Sequence, residues 1–179
     1  RDALAFAARV FEIEMNSVTD NPLVFAQDGE VISGGNFHGQ PLATALDLMA
    51  IVMTQLGGIS ERRIDRMTNP ALSDLPAFLI KGSGLQSGFM MVQVAAAAMA
   101  AEARVKSSPA SVHSIPTGAS KEDHVSMGPA AARKCVDVAG LVTWILELEM
   151  ACAAQGLDFL KPLRPGRGVE AAHQAIRKH

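Results

Sequence analysis

The run from Pro41 to Ser60 carries one charged side chain, Asp47, in an otherwise apolar helical pattern. A stretch that is apolar on nearly every side has two physical homes, the hydrocarbon of a bilayer or the middle of a helix bundle. Its length admits the bilayer, which takes about 20 residues to cross. Thr44, Asp47, Thr54, Gln55 and the Gly57-Gly58 pair interrupt it, however, and one central Asp costs about 3 kcal/mol on insertion. Burial in a bundle is therefore the expectation. A second apolar run, Phe89 to Ala101, is Ala-rich, too short to span a membrane, and suited to close packing between helices.

The remaining pattern is built around these runs. Leu4, Ala7, Ala8, Phe11 and Met15 recur at helical spacing from Asp2 to Met15, and the turn formers Asn16 to Pro22 end that helix. Leu23 to Phe25 and Val31-Ile32 flank Asp28-Gly29, the signature of a small hairpin. Further helices are expected over Pro41 to Met67, Ser87 to Lys106 and Asp123 to Gln155, the last with Val138, Leu141, Ile145, Leu148 and Cys152 along one seam. A terminal helix should cover Val169 to Lys178, and the irregular stretch Ser107 to Lys121 is long enough to suggest a functional loop. The expected fold is mainly α: a long-helix bundle with one small β-hairpin, forming a single helical domain over residues 1–179.

Apolar residues make up 49% of the chain and charged residues 19%, a balance that favours a compact core over disorder. The 16 Lys and Arg do not outnumber the 18 Asp and Glu, and only 4% of residues are aromatic, so nucleic acid is not an expected partner. Cys135 and Cys152 lie on one expected helix roughly 25 Å apart by helical rise, too far to bridge. With mixed charge over Arg1 to Arg9 in place of a secretory apolar segment, a cytoplasmic location is expected.

Two places concentrate chemistry. Lys121-Glu122-Asp123-His124 crowds the expected start of a helix, where Ser120 and Asp123 match a capping box. Glu122 reads either as part of that cap or as a carboxylate that binds a cation or moves a proton in a cleft. Gly34-Gly35-Asn36-Phe37-His38-Gly39 allows close backbone approach and then presents an amide, a ring and an imidazole, although Phe37 also suits a core. His38, His113 and His124 lack the i, i+4 spacing of a zinc helix, and no metal is expected. Lys81 to Gly88 lacks the Gly-Lys-Ser/Thr ending of a phosphate loop and reads as a tight turn leading into a buried helix. No serine has a nucleophile elbow around it.

Four segments in order, Ser17-Val18-Thr19-Asp20-Asn21-Pro22-Leu23, Ser33 to Gly39, Ser83-Gly84-Leu85-Gln86-Ser87-Gly88-Phe89-Met90 and Glu122-Asp123-His124-Val125-Ser126-Met127-Gly128, resemble the aromatic amino acid ammonia-lyases. The resemblance covers Asp2 to about Gln155 and implies part of a larger helical lyase fold. Its details are similar to the histidine ammonia-lyase branch: His38 stands where phenylalanine enzymes usually have Gln, and Met90 where they usually have Lys. Lys121 departs from the Gln common before the motif's Glu, leaving the local charge different.

That resemblance implies elimination of ammonia from L-histidine to give trans-urocanate, through a 4-methylidene-imidazol-5-one (MIO) electrophile formed from an internal Ala-Ser-Gly. This chain contains no Ala-Ser-Gly, so the resemblance implies a carboxyl-terminal portion that depends on an amino-terminal part of the same enzyme. By motif match, Glu122 is the catalytic or anchoring carboxylate facing the substrate imidazole, Phe37 packs against the imidazole or the electrophile, Met90 lines the apolar side, and Asn21 supports the electrophile's surroundings. The family's homotetramer is the implied assembly, in keeping with helices apolar on most faces. The isolated chain is expected to be inactive, and either poorly soluble or bound to an amino-terminal partner fragment. Competing readings are a phenylalanine or tyrosine lyase, an aminomutase, or a non-catalytic helical assembly module.

Overall fold

The computed structural model describes residues 1–34 and 37–178; the Gly35-Asn36 part of the glycine-rich segment therefore lies outside the described residues. Among them the elements run α1 (Asp2–Met15), β1 (Leu23–Phe25), β2 (Glu30–Ile32), α2 (Gln40–Thr68), α3 (Met90–Lys106), α4 (Gly128–Phe159) and α5 (Arg167–Ile176), with a 3-10 turn at Ala77–Leu79. The mainly helical architecture with one hairpin is the one expected from sequence. The chain divides into two compact units, Arg1–Met53 with Val105–Ala139, and Thr54–Arg104 with Gly140–His179.

In the first unit α1 stops where Asn16 Nδ2 donates to Glu12 O and Ser17 Oγ to Ile13 O, so the turn formers satisfy the last carbonyls. The hairpin pairs Leu23 with Ile32 and Phe25 with Glu30, and Gly29 supplies a φ of +70° in its loop. Asp47, the lone charge of the apolar run, is only 4% exposed. It accepts hydrogen bonds from the N–H groups of Ala110 and Ser111 at 3.0 and 2.7 Å, fixing the irregular stretch after α3. By length and composition α2 is the one helix among the described residues that is apolar enough to cross a membrane; this carboxylate is instead satisfied by main chain.

In the second unit Ile64, Leu79, Ala96, Ala100, Ile145 and Cys152 form the core, with Met67, Leu75, Phe89, Val92 and Leu148 packed on it. Gly57 allows α2 to approach α4: a Cβ there would stand 3.0 Å from Val142 Cγ2. Glu149 receives hydrogen bonds from Arg63 and from the buried Ser60, and these partners hold its carboxyl below the usual range against the opposing effect of burial.

Several boundaries differ from expectation. The last long helix begins at Gly128, not Asp123, and continues to Phe159; Ser120 and Asp123 form no capping box. The polar cluster instead closes a turn in which Thr117 and Glu122 exchange two main-chain hydrogen bonds, at 2.9 and 3.2 Å. Gly118, Ala119 and Ser120 all adopt positive φ there, which no helical turn tolerates. The helix starts where Pro129, which needs no N–H partner in a first turn, follows Met127 at φ +59°. Similarly α3 starts at Met90 and not Ser87, because Gly88, at φ +51°, breaks the helical path. The terminal helix is α5, Arg167–Ile176, in place of Val169 to Lys178.

Candidate active site

Three of the four motif-matched residues lie in the first unit. Asn21 precedes β1, and its Oδ1 accepts from Gly34 N at 3.1 Å and Ser33 Oγ at 3.4 Å, so the side chain ties the start of the hairpin to its exit. Its Nδ2 has no partner among the described residues. Phe37 lies in the turn before α2, half exposed at 49%. Gly39, at φ +73°, lets the chain reverse there, and its carbonyl receives Ala43 N–H to open the helix. Glu122 is exposed, with its main chain held by Thr117 and its carboxylate without a hydrogen-bond or ion-pair partner among the described residues.

The turn that presents Glu122 is held in an unfavourable conformation. Ala119 and Ser120 have φ of +56° and +67°, positions that L side chains rarely adopt and that cost of order 1–3 kcal/mol each. Such a turn persists only where its surroundings impose it, and two contacts do so nearby. Ser114 Oγ accepts from Val125 N at 3.0 Å. His38 Nε2 lies 2.8 Å from the carbonyl oxygen of His124, while the two imidazoles stack with centroids 4.9 Å apart and planes 21° from parallel. The Phe37 turn is thereby pinned to the segment two residues beyond Glu122.

This histidine pair escaped sequence reasoning, which considered the same residues as metal ligands. The signal was present, an imidazole in each of two motifs, but their meeting depends on the fold. Among the described residues no three His, Cys, Asp or Glu side chains gather as a metal site. In the second unit Met90, partly buried, opens α3 after the Ser83-to-Gly88 loop. A Cβ on Gly88 would stand 2.5 Å from the carbonyl oxygen of Phe78, which also accepts Phe89 N–H at 2.9 Å, so the loop is fitted to that carbonyl immediately before Met90.

Among the described residues the arrangement offers a carboxylate and an amide donor without partners and a half-exposed aromatic ring, on well-tied turns. That combination suits recognition of a nitrogen heterocycle carrying charge or an N–H. Comparison with known proteins agrees with the motif resemblance. A histidine ammonia-lyase of Myxococcus xanthus is 55% identical over 177 residues, 99% of this chain and 35% of that protein. The crystal structure of histidine ammonia-lyase from Trypanosoma cruzi matches with a TM-score of 0.93 at 47% identity, over 99% of this chain and 35% of that one. A tyrosine aminomutase from Streptomyces globisporus matches with a TM-score of 0.91 at 42% identity, over 99% and 34% of the two chains. The chain thus spans about a third of the length of these relatives. Residues 1–178 match the family model for aromatic amino acid lyases, and the chain belongs to that family.

Proposed function

We propose that the chain provides the imidazole-facing side of an active site that eliminates ammonia from L-histidine to give trans-urocanate. The observation that carries this reading is the Glu122 carboxylate, exposed and without a partner among the described residues, on a strained turn fastened to the Phe37 segment. Such a group accepts a hydrogen bond from an imidazole N–H, favours the charged ring, and can move a proton. The half-exposed Phe37 offers a face on which a planar ring can stack. By the motif resemblance, Met90 supplies a neutral thioether at a position where phenylalanine enzymes usually have a lysine, whose ammonium would repel a protonated imidazole.

These 179 residues contain no Ala-Ser-Gly, so we assign the MIO group to a segment outside them. That group, when bound, supplies the electron sink that makes the substrate's amino group a leaving group. The residues here fit beside it: Asn21 Nδ2 has no partner among the described residues, and Phe37 is half exposed. We further propose that the site is completed by an amino-terminal part of the same enzyme and by other copies in a cytoplasmic homotetramer, so that these residues alone are inactive. Exposed apolar side chains on the helices, among them Met15, Val136 and Trp144, support a need for neighbours.

The test joins this chain to the parts of the Myxococcus xanthus enzyme that it does not match and supplies L-histidine, L-phenylalanine and L-tyrosine in turn, following urocanate by its ultraviolet absorbance. Turnover of histidine is expected. Conversion of tyrosine to a β-amino acid in its place would favour the aminomutase reading, which the likeness to the Streptomyces globisporus structure recommends as the second choice. A correctly assembled protein inert towards all three would point to an assembly module.

A further inference from the structure

We infer that His38 and His124 act as a positioning pair, holding the Glu122 carboxylate in register with the Phe37 ring; this deepens the lyase reading and rests on it. The two histidines are 86 residues apart in sequence and are drawn together by the His38 Nε2 contact of 2.8 Å to the carbonyl of His124. A main-chain carbonyl only accepts, so His38 carries its proton on Nε2. The imidazole of His124 reaches onward, its Nε2 lying 3.3 Å from Gln40 Oε1. The same Gln40 contacts Thr44 Oγ1 through Nε2 at 3.4 Å, so its amide links the His124 ring to the first turn of α2.

The pair is thus a two-way clasp. His38, next to Phe37, holds the main chain of the Glu122 segment; His124, two residues from Glu122, holds the first residue of α2. Their stacked rings fill the space between. Neither imidazole is assigned a contact with substrate. Their effect is on where the carboxylate stands, and a displacement of about 1 Å at a reacting group can cost roughly 100-fold in rate.

Two measurements test the pair. In the chain joined to the remainder of the Myxococcus xanthus enzyme, His38→Leu should lower kcat/KM for histidine by about 10- to 100-fold. His38→Gln, whose amide can still donate to the carbonyl, should recover most of that loss. His124→Leu, which leaves the carbonyl in place, should lose less than His38→Leu. Independently of activity, long-range proton–nitrogen spectra of the joined enzyme, nitrogen-labelled throughout, should show the Nε2–H tautomer at His38, and His38→Leu should shift the Glu122 amide signal while leaving that of Gly29 in place. Unchanged kinetics in His38→Leu, an unshifted Glu122 signal, or an Nδ1–H tautomer at His38 would each overturn the pair. If the joined enzyme fails to turn over histidine while the spectra are as expected, the lyase reading falls and the clasp stands.

Discussion

Asp47 Oδ1 accepts the main-chain N–H of Ala110 at 3.0 Å, across 63 residues of sequence and with the carboxylate almost wholly buried. With its other oxygen on Ser111 N, the one charge in an apolar helix anchors the irregular stretch after α3 to α2. That stretch leads through Ser114, which receives Val125 N–H, to the turn carrying Glu122. Asp47→Asn turns one acceptor into a donor facing a buried N–H, and should cost about 1–3 kcal/mol. Urea denaturation would measure the loss, and hydrogen exchange at Ala110 and Ser111 should speed up selectively. Unaltered exchange at both amides would show that the anchor is not made.

Gly88 is required twice over. Its φ of +51° disfavours any L side chain, and a Cβ would press into the Phe78 carbonyl at 2.5 Å. Gly88→Ala should destabilise by on the order of 3 kcal/mol, combining a left-handed penalty with displaced backbone. Gly82, at φ +87°, where a Cβ would meet nothing within 4 Å, is the control. Gly82→Ala should cost only the conformational part, about 1–2 kcal/mol. Equal losses in the two variants would mean that the Phe78 contact is relieved at no cost.

The long helices were legible because their signal is repeated at every turn: Val138, Leu141, Ile145, Leu148 and Cys152 mark one face of α4 whichever residue begins it. The ends were harder to read. Ser120 and Asp123 carry the side chains of a capping box, and nothing local announces that three successive residues from Gly118 take left-handed φ; Pro129 was the better marker. Likewise Glu122 and Phe37 stood out by motif, whereas the His38–His124 clasp joins segments 86 residues apart and exists only once the loops have been folded together. The Asp47 anchor is of the same kind.

Acid should weaken the second unit in a defined direction. The Glu149 carboxyl lies below its usual range because Arg63 and Ser60 bond its charged form, and Asp158 is held low first by Lys161 and then by Arg177. A depressed folded value means that the unfolded chain takes up protons first as pH falls. Both groups therefore contribute stability above the usual carboxylate range and lose it as pH drops through their lowered folded values. Glu149→Gln should flatten the decline in urea midpoint between neutral and acidic pH, and Asp158→Asn should flatten it separately. A wild-type midpoint that rises on acidification would contradict the assignment.

Glu122→Gln separates two roles for the same carboxylate. The amide nearly matches its shape and can still accept through one oxygen, but it neither carries charge nor takes a proton at working pH. As an anchor for the imidazole, Glu122 would be replaced at a cost read mainly in KM, on the order of tenfold to a hundredfold for a lost charge-assisted hydrogen bond, with kcat retained. As a base, it would be replaced at a cost in kcat of about 10²- to 10⁴-fold, with KM near its original value. Its exposure favours anchoring, since an open carboxylate can meet a ring N–H brought to it from outside this turn. The expected result is therefore a raised KM for histidine. Steady-state kinetics in the joined enzyme decides it, and a kcat effect with unchanged KM would assign Glu122 to proton transfer instead.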